Sequence, residues 1–188
     1  MNNVEIIMRE CKEIMSSLDK DESHNWEHSL RVRDLCLKIS HGLCVCTDTI
    51  KVISYLHDIG RTKARGVYGN KGHAQISYEM ATKILKRVYV PQKELILCVV
   101  RKHSELNNDN DNLCLKVFKD ADRLDHMGAI GVYRIVHATT NHENFLSELN
   151  DAMKCFEALR MPIAISIGKP RYKFLVDFKK RFLKEGYF

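Results

Sequence analysis

The amino-acid sequence predicts an all-α protein. Apolar residues recur at intervals of three and four through most of the chain, no segment sustains strand-like alternation, and no repeat or low-complexity linker divides it. The periodicity begins at the N-terminus. Val4, Ile7, Met8, Cys11, Ile14, Met15 and Leu18 form the stripe of an amphipathic helix. A second helix carries His28, Val32, Leu35 and Ile39 on one face, so His28 points where core residues point. Thr47 with Asp48 reads as the N-cap of a third, which runs through Ile50, Ile53 and Leu56 and stops at Gly60. Residues 61–72, with Gly66, Gly69 and Gly72 among basic residues, read as a loop. A fourth helix follows through Ile76, Met80 and Leu85, and Pro91 suits the start of a fifth from Gln92 to Lys102. Residues 107–112 are a polar turn, since they lack the spaced glycine and closing glutamate of a calcium loop. Leu113 to Met127, Phe145 to Leu159 and a last stretch with Phe174, Leu175, Phe178 and Phe182 on one face complete the pattern.

Composition fits one globular domain over residues 1–188, with 45% hydrophobic and 29% charged residues. The apolar runs are far too short to cross a bilayer, and the N-terminus lacks the basic and apolar blocks of a secretory signal. Seven cysteines are scattered, and Cys44-Val45-Cys46 has the wrong spacing for a CxxC metal or redox motif. Reduced thiols in a cytoplasmic protein are the expectation. A net charge of +6 favours anionic ligands in general. The basic cluster Lys179, Lys180, Arg181 and Lys184 reads as the wet face of the last helix, without interleaved aromatics for base stacking, so nucleic acid is not an expected partner.

The chemistry concentrates in an ordered series. His57-Asp58 closes the apolar run Ile53-Ser54-Tyr55-Leu56 and is followed by Ile59-Gly60-Arg61. His28 lies upstream in His24-Asn25-Trp26-Glu27-His28, and Asp122 downstream in Lys119-Asp120-Ala121-Asp122-Arg123-Leu124-Asp125. Imidazole and carboxylate side chains together suit a borderline or hard divalent ion. Such an ion neutralises the charge that protects a phosphate from attack and activates a bound water, provided coordination positions stay open. A nucleophile elbow, a Walker loop and an HExxH helix are all missing from the chain.

These motifs resemble the HD-domain superfamily of metal-dependent phosphohydrolases. The likeness rests on His28-Ser29-Leu30-Arg31-Val32-Arg33, His57-Asp58-Ile59-Gly60 and Asp122-Arg123-Leu124-Asp125-His126-Met127-Gly128-Ala129-Ile130-Gly131, and covers about residues 24–135. It is similar to the small branch that includes nucleoside triphosphate pyrophosphohydrolases. The resemblance implies His28, His57, Asp58 and Asp122 as ligands of Mn²⁺, Mg²⁺, Fe²⁺ or a similar ion, with Asp58 as the catalytic carboxylate. His73 and His103 stand where binuclear members carry extra ligands and where mononuclear members contact phosphate, so they are candidates for a second metal or a phosphate contact. Arg61, Lys63, Arg65 and Lys71 are candidate phosphate cations. Asp125 would orient a ligand histidine. His126 shares the helix face of Asp122 and reads as an ordinary helix histidine.

The activity so implied is attack of a metal-bound water on phosphorus in a nucleotide or related phosphorylated small molecule, including cleavage of a nucleoside triphosphate to monophosphate and pyrophosphate. Two departures narrow it. Ile59-Gly60-Arg61-Thr62 lacks the carboxylate that similar 5′-nucleotidases carry after the His-Asp pair, and the Gly-Tyr-Pro motif of cyclic dinucleotide phosphodiesterases is missing. The alternatives are a phosphodiesterase of a nucleotide second messenger, and a non-catalytic nucleotide-sensing domain. The latter is suggested by the lack of an obvious general base besides Asp58. Expected partners are the phosphorylated substrate and no membrane, with a homodimer left open.

Overall fold

A computed structural model describes residues 2–16, 24–64, 72–139 and 141–186. Among the described residues every regular element is a helix: α1 (Asn3–Ser16), α2 (Trp26–Ile39), α3 (Thr47–Leu56), α4 (Arg61–Ala64), α5 (His73–Arg87), α6 (Lys93–Lys102), α7 (Leu113–Asp125), α8 (Gly128–Ala138), α9 (His142–Glu157) and α10 (Pro162–Lys184). The chain is all-α, as its periodicity predicts. None of these helices is long and apolar enough to cross a membrane.

Most of the residues in the stripes read from the sequence face one connected core; Phe174 of the last stripe is exposed, and Leu18 of the first lies outside the described residues. Ile7 and Cys11 of α1, Val32 and Ile39 of α2, Ile50, Ile53 and Leu56 of α3 and Phe118 of α7 are fully buried. Each large apolar side chain so buried contributes about 1.5–3 kcal/mol. Helix α2 packs on α3 and α7, α3 also on α1 and α6, and α10 closes the other side against α8 and α9. All seven cysteines are free thiols. Burial holds the Cys114 thiol protonated, pushed up to about 12.

Three elements differ from expectation. The N-cap of α3 is Cys46, with Thr47 already helical and no side chain bonding the cap. In place of an unbroken loop after Gly60, the chain makes one further turn, α4, while the glycine-bearing stretch 65–71 lies outside the described residues. Residues 128–138 form a separate helix, because the chain turns at Met127–Gly128, where Gly128 adopts a positive φ of 75°. The last helix starts at Pro162 and passes through Pro170 without a break. Gly168 explains why a helix can sit so tightly there, since a Cβ at that position would press into Leu159, Phe156 and Leu124.

Candidate metal centre

Each ligand candidate is delivered by a local device. Asn25 caps α2 by accepting from the His28 backbone N–H at 3.1 Å, which holds His28 in the first turn, facing inward. The α3 ladder extends one residue to His57, and Asp58 follows as the chain turns. The next residue but one, Gly60, donates its N–H to Ser77 Oγ at 2.9 Å. A Cβ at residue 60 would collide with the Ser77 nitrogen and the His73 carbonyl, so only glycine lets the start of α5 approach this closely. That approach sets His73, the first residue of α5, beside Asp58. His103 enters from the C-cap of α6, and Asp122 and Asp125 from one face of α7.

Two groups of potential ligand atoms result, and they share Asp58. One is His28, His57 and Asp58, the other Asp58, His73 and His103, and all five residues are buried. In the first, His28 Nε2 stands 3.2 Å from His57 Nε2, 3.7 Å from Asp58 Oδ2 and 3.4 Å from Asp122 Oδ1. In the second, Asp58 Oδ1 stands 3.5 Å from His73 Nε2 and 3.6 Å from His103 Nε2, which are 3.1 Å apart.

The opposite ring nitrogens determine what these atoms offer. His28 Nδ1 faces Asp125 Oδ2 at 2.8 Å, His57 Nδ1 faces the Ser54 carbonyl at 2.9 Å, and His103 Nδ1 faces the Val100 carbonyl at 2.8 Å. Each partner is an acceptor, so each Nδ1 carries the proton and a neutral ring turns its Nε2 lone pair inward. Two such lone pairs at 3.2 Å repel unless a cation lies between them. Among the described residues, Asp58 Oδ1 is buried with no hydrogen-bond partner. An orphaned carboxylate oxygen among converging imidazole lone pairs is the donor set of a divalent metal, and the fit is good.

The surrounding charges support this. Burial opposes ionisation of Asp58, but Arg61, whose Nε donates to Asp58 Oδ2 at 2.6 Å, and His57 hold the carboxyl well below the usual range. Burial pushes His28 down to about 3, with the Arg134 charge adding, so its ring is neutral at physiological pH. Burial likewise lowers His57. At His103 burial is outweighed by Asp58, and its pKa rises. Asp125 resists the same burial penalty through bonds from His28, Arg31 and Arg134, which keep it ionised.

A cavity of about 300 Å³ opens beside this cluster, lined by His24, Arg61, His73, His126, Arg134, Ile135, Ala138 and Glu148. Arg61 bridges the two regions, its Nη2 lying 3.3 Å from His73 Nε2. Of the cations expected for phosphate, Arg61 is in place. Lys63 is exposed on α4 and is not among the residues that line the cavity. Lys71 and Arg65 lie outside the described residues. Sequence reasoning took His126 for an ordinary helix histidine, whereas the end of α7 turns it into the cavity wall. It missed Arg134 and Arg31, both bonded to Asp125. Arg31 had a signal, since it follows His28 by three residues and shares its face. Arg134 had a fainter one, as a lone cation in the apolar run Ala129–Val136.

An all-helical fold brings His and Asp side chains together at its core in groups that could hold a metal ion. The chain belongs to the HD-domain family, whose model matches residues 25–127. Among solved structures, a predicted HD superfamily hydrolase from an uncultured Thermotogales bacterium is 23% identical over 98% of this chain and 93% of its own, with a TM-score of 0.72. YpgQ of Bacillus subtilis, in complex with ADP, is 16% identical over 97% of this chain and 94% of its own, with a TM-score of 0.74. An HD-superfamily hydrolase of Bacillus thuringiensis is 20% identical over 98% of both chains, with a TM-score of 0.68. Curated protein sequences include no match to this chain.

Proposed function

We propose that this protein is a metal-dependent phosphohydrolase acting on a nucleotide or a related phosphorylated small molecule, with residues 1–188 as one catalytic domain. The observation that carries the reading is Asp58, a buried carboxylate shared by two groups of potential ligand atoms among the described residues, with one oxygen given no hydrogen bond by them and the other clamped by Arg61. His28, His57, Asp58 and Asp122 would hold one divalent ion, Mn²⁺, Mg²⁺ or Fe²⁺. Asp58, His73 and His103 would take a second ion or contact a phosphate. When bound, such an ion neutralises phosphate charge and lowers the pKa of water towards neutrality.

The chain's own residues do the rest. Asp125 and the Ser54 carbonyl hold the Nδ1 protons of His28 and His57, which fixes both rings and aims each Nε2 inward. Arg61 keeps Asp58 ionised and lies at the cavity wall, where a substrate phosphate would meet its guanidinium. The nucleotide reading draws further support from the ADP bound by YpgQ, which shares the fold.

The test is a panel of nucleoside mono-, di- and triphosphates incubated with each metal, with release of phosphate and of pyrophosphate followed separately. Metal-dependent turnover of at least one compound is expected, and the product identifies the bond cleaved. Tight nucleotide binding without turnover under any metal would instead establish a sensing domain.

A further inference from the structure

The cavity beside the metal centre has a graded wall, of which the catalytic reading uses only Arg61 and His73. Arg134, at its base, is 4% exposed and donates from Nη1 to Asp125 Oδ2 at 2.9 Å, which ties it to the residue holding His28. The side chain of Arg61 is 12% exposed, that of His126 28% and that of Glu148 48%. The cations therefore lie deep and the carboxylate lies at the mouth. Glu148 Oε2 is 3.9 Å from His126 Nε2, so acceptor and imidazole stand side by side. Ile135, which is buried, and Ala138, which is exposed, supply apolar wall from α8.

This order selects for shape and charge together. A phosphate drawn to Arg61 and Arg134 lies next to the metal cluster. Whatever is attached to it must pass the mouth, where a carboxylate repels further anionic charge but accepts hydrogen bonds from hydroxyl groups. A sugar fits both demands, with its ring against Ile135 and Ala138 and its hydroxyls at Glu148. An inorganic polyphosphate fits the base alone.

We propose that Glu148, with His126 beside it, is a specificity-determining subsite that accepts hydrogen bonds from the hydroxyls of a sugar phosphate or nucleotide. The inference rests on the reading that the site takes a phosphorylated molecule, and it adds which part of that molecule is read, and by what.

Binding measurements test it without requiring turnover. ADP, its 2′,3′-dideoxy counterpart and inorganic pyrophosphate are titrated into the metal-loaded protein, the Glu148→Ala variant and the Glu148→Gln variant. The unaltered protein should favour ADP over the dideoxy form about tenfold, the scale of one hydrogen bond to a charged group. Glu148→Ala should erase that preference while binding pyrophosphate as well as before or better. Glu148→Gln keeps an acceptor and should retain part of the preference. A Glu148→Ala variant that favours ADP over the dideoxy form as strongly as the unaltered protein does, or no preference in the unaltered protein, overturns the inference. Failure of the hydrolase reading would look different, as bound ADP that no metal causes to be cleaved.

Discussion

Asp58 carries more of the site than any other side chain, because its two oxygens serve two different groups of ligand atoms. Replacing it with alanine removes a hard ligand and a negative charge from both groups at once. We expect Asp58→Ala to lower turnover by orders of magnitude, on the scale of single catalytic groups, and to strip bound metal measured by elemental analysis. Lys180→Ala, exposed on α10, should change neither. Normal turnover and metal content in Asp58→Ala would show that the His-Asp pair has been misassigned. Asp125 offers a subtler test. It bonds His28, Arg31 and Arg134, so Asp125→Asn keeps the shape but removes the charge that all three share. Loss of such a partner behind a metal ligand typically weakens metal affinity by about 10- to 100-fold, which a Mn²⁺ titration of the variant should show.

At the level of the helices, the centre depends on how closely α5 approaches the turn after α3. Gly60 is the point of contact, and any Cβ there meets the backbone of His73 and Ser77, which cannot swing aside as a side chain can. Gly60→Ala should therefore destabilise the fold by about 1–3 kcal/mol in urea unfolding, as overpacking does. It should also weaken metal binding, because His73 must move away from Asp58. Asn25→Ala makes a useful contrast. It removes the cap bond to the His28 N–H, a loss of about 1 kcal/mol, and leaves the contact between Gly60 and α5 in place. An unfolding free energy unchanged in Gly60→Ala would mean that α5 can retreat without penalty.

Across the whole molecule, imidazoles in the core and on the cavity wall link stability to pH. His28 is held near 3 and His126 near 4 by burial first and the Arg134 charge second, and His57 is lowered as well. In the unfolded chain these rings titrate near 6.5. Between about 6.5 and those lower values the unfolded state binds protons that the folded state refuses, so stability falls as the pH drops through this window. His103 is raised and works the other way, but it is one group against three. Thermal unfolding of the metal-free protein should accordingly show a lower Tm at pH 5 than at pH 7.5. Added Mn²⁺ should raise Tm most at the higher pH, since a metal that binds only the folded state stabilises it and protons compete for the same nitrogens. A metal-free Tm independent of pH over this range would contradict the neutral state of these rings.

Much of this was legible along the chain. Helices announce themselves in the spacing of apolar residues because burying one stripe per helix is what holds them in place, and His28 could be oriented from its place on such a stripe. The series His28, His57-Asp58, Asp122 stood out as a candidate ligand set because ligand chemistry depends on residue type, and the fold brings these side chains within 4 Å of His28. Contacts between elements carry no such local signature. That Asp58 serves two groups, that Gly60 admits the start of α5, and that Arg31 and Arg134 meet at Asp125 all depend on which helices pack together. The same holds for His126, which shares a helix face with Asp122 on paper but turns into the cavity at the end of α7. Residue types and their periodicity determine the helices and the ligand chemistry; the packing of helices distant in sequence decides which charges face one another and what the cavity can receive.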